Sequence, residues 1–191
     1  MIHNKMHLPA LETERLIVRP FVLSDLEDVY RLYDDVDDAD RIARRQWLEW
    51  TIAGYEQYAA LYQPPYGERA ICLKSTNEFI GAVGYVPCLN PFGQMPFGQK
   101  NGIAAGHRTT EFGLYWSVLS AHRNQGYATE AARTIVEHAF AHLELARIVA
   151  TTEYENGASQ AVMRHLGMRI ERNPLPTPPW LQVVGVLERA S

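Results

Sequence analysis

The stretch Arg123-Asn124-Gln125-Gly126-Tyr127-Ala128 lies between two segments with different hydrophobic patterns. An apolar strand pattern covers residues 112–118, and the pattern of a long amphipathic helix begins near Tyr127. A chain that passes from a strand through a turn into a helix leaves several backbone N–H groups unpaired at the helix N-terminus, where the helix dipole favours an anion. The stretch, which we call the phosphate corner (residues 123–128), is therefore predicted to hold a phosphate group.

Small apolar residues line one face of the predicted helix, because they recur at i, i+3, i+4 and i+7 spacing from Ala128 to Leu143. Alanines in its first two turns let the helix backbone lie close to a sheet. A side chain at Gly126 would stand between the backbone and a bound pyrophosphate. The same residues also fit an ordinary strand-to-helix turn whose glycine only relieves backbone strain. A single glycine is weaker evidence than a complete phosphate-binding fingerprint, so both interpretations are open at this point.

The corner resembles a family signature. Arg123-x-x-Gly126-x-Ala128 is similar to the acetyl-CoA pyrophosphate signature of the GNAT N-acetyltransferases, which reads Arg or Gln, two residues, Gly, one residue, then Gly or Ala. Other segments resemble the Rim-type branch, which includes the ribosomal-protein N-terminal acetyltransferases, and these are 11–16, 19–20, 111–116, 128–131, 156–159 and 166–168. The resemblance spans residues 11–188. It implies an α+β GNAT fold with a mixed, mostly antiparallel central sheet of about seven strands flanked by helices.

Length and composition limit the class of protein. A chain of 191 residues is long enough for one domain with a substantial core, so residues 1–191 are predicted to form a single domain. The net charge of -4 gives no general attraction to nucleic acid or to an anionic membrane. Cys72 and Cys88 form no disulfide framework and are expected to be free thiols of the core. The sequence has neither a membrane-spanning run nor a signal peptide, which predicts a cytoplasmic location.

The hydrophobic pattern along the chain predicts alternating strands and helices. A capping box at 24–27 is expected to start the first helix, and the acidic run 34–38 is expected to lead into the second. Gly167 is expected to cap the last helix. The predicted strands are 15–21, 68–74, 79–86, 109–118, 147–152, 168–171 and 181–187. The predicted helices are 24–33, 40–62, the helix after the corner, and 158–166.

Three segments match no shared pattern and are expected to set specificity. The second helix is rich in aromatic residues, of which Trp50 and Tyr55 are candidate substrate contacts, although core packing explains such rings equally well. Residues 87–108 form a long Gly- and Pro-rich segment, which is typical of a binding loop or lid but also fits a disordered insertion. The third segment is the Pro-rich connector at 174–179.

The family resemblance implies which residues contact acetyl-CoA. Trp116 and Val118 occupy the strand positions whose backbone groups pair with the pantetheine amides, in a gap where two strands splay apart. Asn156 belongs to an Asn-x-x-Ser pattern and contacts the cofactor. The implied cofactor-binding residues are Trp116, Val118, Arg123, Asn124, Gln125, Gly126, Tyr127, Ala128 and Asn156.

Acetyl transfer from a thioester to an amine needs a neutral amine, donors for the oxyanion and an acid for the leaving thiolate. No covalent nucleophile is required when both substrates are held together. The resemblance implies Glu111 as the base, with His107 as its substitute, and Glu111 could instead pair with a neighbouring strand. Ser159 is the implied acid, since 161–165 lacks the tyrosine of many GNAT enzymes, and its alternative role is helix capping.

These observations predict an acetyl-CoA-dependent N-acetyltransferase that acts on a primary amine, either a protein N-terminus or a small molecule, by direct attack in a ternary complex. The scattered histidines predict no catalytic metal. A homodimer is consistent with family habit. The first alternative is a non-catalytic GNAT-fold acyl-CoA-binding or regulatory module. The second is a nucleotide-binding domain such as a kinase, which the missing Gly-Lys-Ser/Thr after the glycine turn disfavours.

Overall fold

A computed structural model describes residues 6–99 and 106–189. The contacts between Cα atoms divide the chain into two compact units. The first unit comprises residues 1–85 and 115–143, and the second comprises residues 86–114 and 144–191. The single domain predicted from the length of the chain stays a prediction.

The order of helices and strands agrees with the sequence pattern. Helices α1 to α4 are Leu26–Tyr33, Asp38–Ala60, Tyr127–Ala141 and Gly157–His165. Strands β1 to β8 are Leu11–Glu12, Leu16–Arg19, Gly67–Leu73, Phe79–Asn90, Thr109–Val118, Arg147–Thr152, Arg169–Arg172 and Val183–Glu188. No helix in the described ranges is both long enough and apolar enough to cross a bilayer.

The strands form one mixed sheet in the order β1-β2-β3-β4-β5-β6-β8-β7. The pair β5 and β6 is parallel, whereas β1–β2, β2–β3, β3–β4, β6–β8 and β7–β8 are antiparallel. The predicted α+β fold is confirmed. The sheet has eight strands rather than about seven, because Leu11 and Glu12 pair with Val18 and Ile17 in a strand too short to show alternation.

The core of the first unit lies between α1, α2 and strands β3 and β4. Its buried residues are Phe21, Val29, Leu32, Leu48, Ala70, Cys72, Phe79 and Ala82. The glycine in the middle of β4 has a packing reason, since a Cβ on Gly81 would overlap the carbonyl oxygen of Ser117 on β5. Strand β5 therefore lies so close to β4 at this point that only glycine fits.

The first helix starts differently from the prediction. Ser24 is exposed, and the proposed capping box of Ser24 and Glu27 does not form. The carboxylate of Asp25 instead accepts hydrogen bonds from the backbone N–H of Val22 at 2.9 Å and from Nη1 and Nη2 of Arg19, both at 2.8 Å. The arginine explains the difference, because a buried carboxylate with a bidentate cation is held more firmly than an exposed hydroxyl cap. The second helix does begin at the acidic run, where Asp37 accepts from Asp40 N.

Residues 87–108 are largely not the loop that their glycines and prolines suggest. Strand β4 continues to Asn90, and two short 3-10 turns follow at Phe92–Gln94 and Pro96–Gly98. Phe92 and Met95 are 0% exposed and form the core of the second unit with Val149, Leu181, Val184 and Val186. Residues 91–95 are therefore core and not a disordered insertion, whereas a role of residues 87–108 as a binding loop or lid stays a prediction. Residues 100–105 of the predicted loop lie outside the described residues.

Candidate active site

The phosphate corner has the predicted strand-turn-helix geometry within the first unit. Strand β5 ends at Val118, a 3-10 turn covers Ser120–His122, and α3 begins at Tyr127. Gly126 is the N-cap residue of α3 and has a φ of 82°, a left-handed conformation in which a side chain is strained. Its carbonyl oxygen accepts from Glu130 N at 3.0 Å. Backbone conformation thus suffices to explain the glycine, and the predicted pyrophosphate contact stays a prediction.

Arg123 contacts the strand that precedes the corner. Its Nε donates to the carbonyl oxygen of Val118 at 3.1 Å, so the side chain folds back onto the end of β5. The residue as a whole is exposed. The contact fastens the corner to the strand that precedes it, and the terminal guanidinium nitrogens form no hydrogen bond with a residue in the described ranges.

Arg15 is a corner residue that the sequence did not assign. Its Nη1 donates to the carbonyl oxygen of Gln125 at 3.0 Å, and its guanidinium carbon lies 4.5 Å from the ring centre of Tyr127. Its Nε donates to Glu130 at 2.7 Å. In the sequence, Arg15 belongs to a segment that resembles the Rim-type branch, and it begins a predicted strand. The sequence carries no signal for this role, because the contact joins residues that are 110 positions apart.

Glu130 completes this arrangement from the first turn of α3. One carboxylate oxygen accepts from the hydroxyl of Thr13 at 2.5 Å and from the backbone N–H of Arg15 at 3.0 Å, while the other accepts from Arg15 Nε. Burial raises the pKa of this carboxyl, but the hydrogen bonds from Thr13 and Arg15 outweigh burial and hold the pKa below its ordinary value. We call Thr13, Arg15 and Glu130 the corner clamp.

The other predicted cofactor residues of the first unit surround the same turn. Asn124 has a positive φ of 60°, and Asn124 and Gln125 are exposed. Gln125 Nε2 donates to the Ala121 carbonyl oxygen at 3.3 Å. Trp116 and Ala128 are half-buried and Val118 is buried. The structure therefore brings the predicted residues from 116 to 128 together.

Glu111 lies in the second unit, at the start of β5, in a bidentate ion pair. Its two carboxylate oxygens accept from Nε and Nη2 of Arg147 at 2.9 and 2.7 Å. The guanidinium of Arg147 also lies 5.0 Å from the ring centre of Phe97. Only 11% of the Glu111 side chain is exposed. This geometry matches the structural alternative, in which Glu111 pairs with the neighbouring strand.

Asn156 and Ser159 lie at the start of α4, also in the second unit. Asn156 Oδ1 accepts from the backbone N–H of Ser159 at 2.9 Å, which makes Asn156 the N-cap of the helix. Capping therefore falls to Asn156 and not to the Ser159 hydroxyl. Ser159 is half-buried, and its hydroxyl forms no hydrogen bond with a described residue.

The thiols and histidines do not form a second reactive centre. Burial, with a smaller contribution from Glu111, raises the pKa of Cys88 to about 11, and burial raises the pKa of Cys72. Neither thiol is an activated nucleophile, because the thiolate is the reactive form. His107 is exposed. Within the ranges 6–99 and 106–189 no His, Cys, Asp and Glu side chains are grouped as metal ligands.

The two aromatic candidates of α2 have different surroundings. The hydroxyl of Tyr55 donates to the carbonyl oxygen of Glu68 at 2.5 Å and accepts from Phe21 N at 3.2 Å, so it connects the helix to the sheet. Trp50 is 63% exposed and packs edge-on against Tyr58. Tyr55 is thus a packing residue, whereas Trp50 is free to contact a substrate.

Comparisons with known proteins agree with this geometry. The family model of the acetyltransferase (GNAT) domain matches residues 15–169. A relative from Bacillus subtilis, the uncharacterized N-acetyltransferase YoaA, is 29% identical over 166 residues, which cover 85% of this chain and 84% of that protein. Two solved structures have the same fold. Ribosomal-protein-S5-alanine acetyltransferase from Vibrio fischeri has a TM-score of 0.64 and 16% identity, over 94% of this chain and 96% of that chain.

The second is RimJ from Mycobacterium smegmatis in complex with CoA-disulfide, with a TM-score of 0.58 and 18% identity, over 91% of this chain and 81% of that chain. The family model spans the phosphate corner, Arg15 and Glu130 of the corner clamp, Glu111 and Ser159. The chain therefore belongs to the GNAT family of acetyltransferases and is an acyltransferase.

Proposed function

We propose that the protein transfers the acetyl group of acetyl-CoA to a primary amine by direct attack in a ternary complex. The observation that carries the proposal is the phosphate corner, where exposed backbone follows β5 and the N-terminus of α3 is fixed by Gly126. The corner lies inside the matched acetyltransferase domain. A helix N-terminus with free N–H groups stabilises a phosphate through hydrogen bonds and the helix dipole.

The proposed cofactor contacts follow from this arrangement. The pyrophosphate binds at residues 123–128, and the exposed Arg123 supplies a cation. The pantetheine arm runs back along β5, where Trp116 and Val118 offer backbone groups. Asn156 contacts the cofactor from the start of α4, and the predicted gap between two splayed strands is part of this proposal. The named RimJ structure contains CoA, which supports the use of acetyl-CoA here.

The proposed chemistry needs no covalent intermediate, because positioning two substrates supplies much of the rate. Ser159 is proposed to protonate the leaving thiolate, and its hydroxyl has no competing bond among the described residues. Glu111 was predicted to be the base. Its pairing with Arg147 supports a different role, in which it holds β5 beside β6 at Gly113 and Val149.

The acceptor is proposed to be a primary amine on a small molecule or at a protein N-terminus. The Vibrio fischeri neighbour is named for a ribosomal-protein acceptor, which supports the second class. A net charge of -4 favours encounter with a cationic acceptor. The cytoplasmic location, the homodimer, and the absence of nucleic-acid and membrane partners stay predictions from the sequence.

A thermal-shift experiment with acetyl-CoA, CoA and ATP tests the cofactor assignment. Because a ligand that binds only the folded state raises its stability, acetyl-CoA and CoA should raise the melting temperature and ATP should not. Gly126→Ala should lower the melting temperature of the free protein and reduce the shift with acetyl-CoA. Release of free thiol in the presence of an amine panel then reports transfer.

Gly167→Ala is the matched control, since Gly167 also has a φ of 82° and a Cβ there meets nothing within 4 Å. Each substitution should cost about 1–2 kcal/mol of folding free energy through the left-handed backbone. Only Gly126→Ala should weaken acetyl-CoA binding. No stabilisation by millimolar acetyl-CoA would refute the transferase proposal, and binding without turnover on any amine would favour the non-catalytic module.

A further inference from the structure

Glu68 is a carboxyl group enclosed by aromatic rings in the first unit. It lies on β3, and its Oε2 accepts from the hydroxyl of Tyr33 on α1 at 2.6 Å. Burial raises the pKa of Glu68 above its ordinary value, while the Tyr33 hydrogen bond and the charge of Arg44 offset part of this effect. The other oxygen forms no hydrogen bond with any residue in the described ranges. The group therefore keeps one acceptor position available.

Arg44 and Tyr55 lie near Glu68, but both form their hydrogen bonds with groups other than its carboxylate. Arg44 lies with its guanidinium carbon 3.7 Å from the ring centre of Tyr33, and its Nε donates to Asp35 at 2.8 Å. The hydroxyl of Tyr55 donates to the backbone carbonyl oxygen of Glu68 and not to its carboxylate. Among the described residues, Tyr33 alone donates a hydrogen bond to the Glu68 side chain. The carboxylate is thus positioned without being neutralised by a direct ion pair.

Tyr115 connects this carboxyl to the strand on which the cofactor is proposed to lie. It packs against the same core as Tyr33, and it interacts electrostatically with both Tyr33 and Glu68. Tyr115 immediately precedes Trp116 on β5. The phosphate corner follows the C-terminal end of β5, so a pantetheine arm that passes Val118 and then Trp116 runs towards the N-terminal end. This proposed path runs beside Tyr115, the residue that precedes Trp116 on β5.

We propose that Glu68, held by Tyr33, accepts the proton of the acceptor ammonium group at the face of the sheet that carries Tyr115. The proposal rests on the proposed acetyl transfer and assigns the acceptor to protonated primary amines. The attractive interaction between a carboxylate and an ammonium group is strengthened where water is partly excluded. Sequence patterns did not indicate Glu68, because it appears only as a polar residue at the start of a predicted strand.

The proton balance of this step is simple. The ammonium R–NH3+ gives one proton to the Glu68 carboxylate and becomes R–NH2. The amine nitrogen then attacks the thioester carbon, a C–N bond forms and the C–S bond breaks. The nitrogen loses its second proton, the CoA thiolate gains one, and Glu68 returns its proton to solvent. No redox partner is required, and a base with a pKa raised towards neutrality suits the task.

The test compares four single variants of the full chain by thiol release from acetyl-CoA, using the amine from a panel that the wild type acetylates fastest, between pH 5 and pH 9. Glu68→Gln should lower kcat about 100-fold while the thermal shift with acetyl-CoA is kept. Tyr33→Phe removes a bond to the carboxylate, so the acidic limb of the kcat/KM profile should move to higher pH by about one unit. Tyr30→Phe is the matched control, since the Tyr30 hydroxyl on the same helix donates to Arg41 O.

Tyr30→Phe should leave the pH profile unchanged, and Glu111→Gln should not remove the acidic limb. An acidic limb that survives in Glu68→Gln, or that is lost in Glu111→Gln, would overturn the role of Glu68 and leave acetyl transfer intact. If Glu68→Gln does not fold, an unmoved limb in Tyr33→Phe overturns the proposal by itself. A wild type that binds acetyl-CoA but acetylates no amine refutes the proposed function, and the inference falls with it.

Discussion

At the scale of the residue, the partner of a charged group decides its chemistry. Glu111 and Glu68 both lie on strands. Arg147 donates to both carboxylate oxygens of Glu111, whereas Glu68 accepts one hydrogen bond from the hydroxyl of Tyr33. The first carboxylate is held in an ion pair, whereas burial raises the pKa of the second. Both partners lie more than 30 positions away in the chain, at separations of 36 and 35 residues. No local pattern could distinguish the two glutamates.

His138 is a buried histidine on α3 with a cationic neighbourhood. Tyr85 donates its only hydroxyl proton to the carbonyl oxygen of Ile135 at 2.7 Å, so Nδ1 of His138, 3.1 Å from the same hydroxyl, carries a proton and donates. Burial, with the neighbouring His142, Arg69 and His7, lowers the pKa of His138 to about 4. The folded protein therefore holds this imidazole neutral at physiological pH.

The depressed pKa predicts a loss of stability in mild acid. Between pH 6.5 and pH 4 the unfolded chain binds a proton at His138 and the folded chain does not, so the free energy of unfolding falls as the pH falls. Urea unfolding at pH 7 and pH 5 measures how much the free energy of unfolding falls between the two pH values. In His138→Gln this fall should be smaller than in the wild type by about 1–2 kcal/mol. The exposed His107→Gln should keep the dependence of the wild type. An unchanged slope in His138→Gln would contradict the assignment.

At the scale of the element, the corner clamp explains how the N-terminus of α3 is aimed. Glu130 lies in the first turn of the helix, where a negative charge interacts favourably with the helix dipole. Arg15, on the segment before β2, donates to both Glu130 and the Gln125 carbonyl oxygen. With that carbonyl held by Arg15, the following backbone N–H groups stay available to a phosphate. The clamp thus positions the corner without needing to touch the ligand.

Removing Arg15 should weaken binding of the pyrophosphate more than binding of the pantetheine arm. Arg15→Ala should lower kcat/KM for acetyl-CoA about tenfold, since a hydrogen bond to a charged group contributes about 1.5–3 kcal/mol, and should change kcat/KM for S-acetylpantetheine far less. The measurement is the ratio of the two values with one amine. Arg45→Ala is the control, because Arg45 forms an exposed i,i+4 pair with Glu49 on α2. Equal losses with both thioesters would show that Arg15 only stabilises the fold.

At the scale of the whole molecule, each compact unit has its own core. Leu48 lies in the core of the first unit and Phe92 in that of the second, and both are 0% exposed. Strands β4 and β5 pass through both units. Two strands shared in this way favour cooperative unfolding, which is what the prediction of a single domain requires.

Core substitutions in the two units test this cooperativity. Leu48→Ala should cost about 2–5 kcal/mol and Phe92→Ala about 3–5 kcal/mol, because each removes a fully buried side chain. Both should lower one common transition when fluorescence and far-UV circular dichroism are followed together in denaturant. Leu89→Ala, at a side chain that is 58% exposed, should change little. A variant that splits the transition into two would show that the units unfold separately.

Hydrophobic periodicity alone was enough for the local features of this chain. It placed β5 at Thr109–Val118 and β6 at Arg147–Thr152, started α3 at Tyr127, and put Gly167 after α4, where its φ is 82°. These features depend on neighbours within a few positions, which a sequence displays directly. The family signature at the phosphate corner is local in the same sense, since it needs one turn and the start of one helix.

The tertiary contacts account for what the sequence could not supply. Arg15 and Glu130 meet across 115 positions, and Phe92 is core although its neighbours are glycine and proline. The capping box of Ser24 and Glu27 does not form, and the carboxylate of Asp25 pairs with Arg19. Each outcome depends on which side chains the folded sheet and helices bring together, and on how far each is removed from water. Those are properties of the packed chain, because burial and long-range pairing have no signature in a short window of sequence.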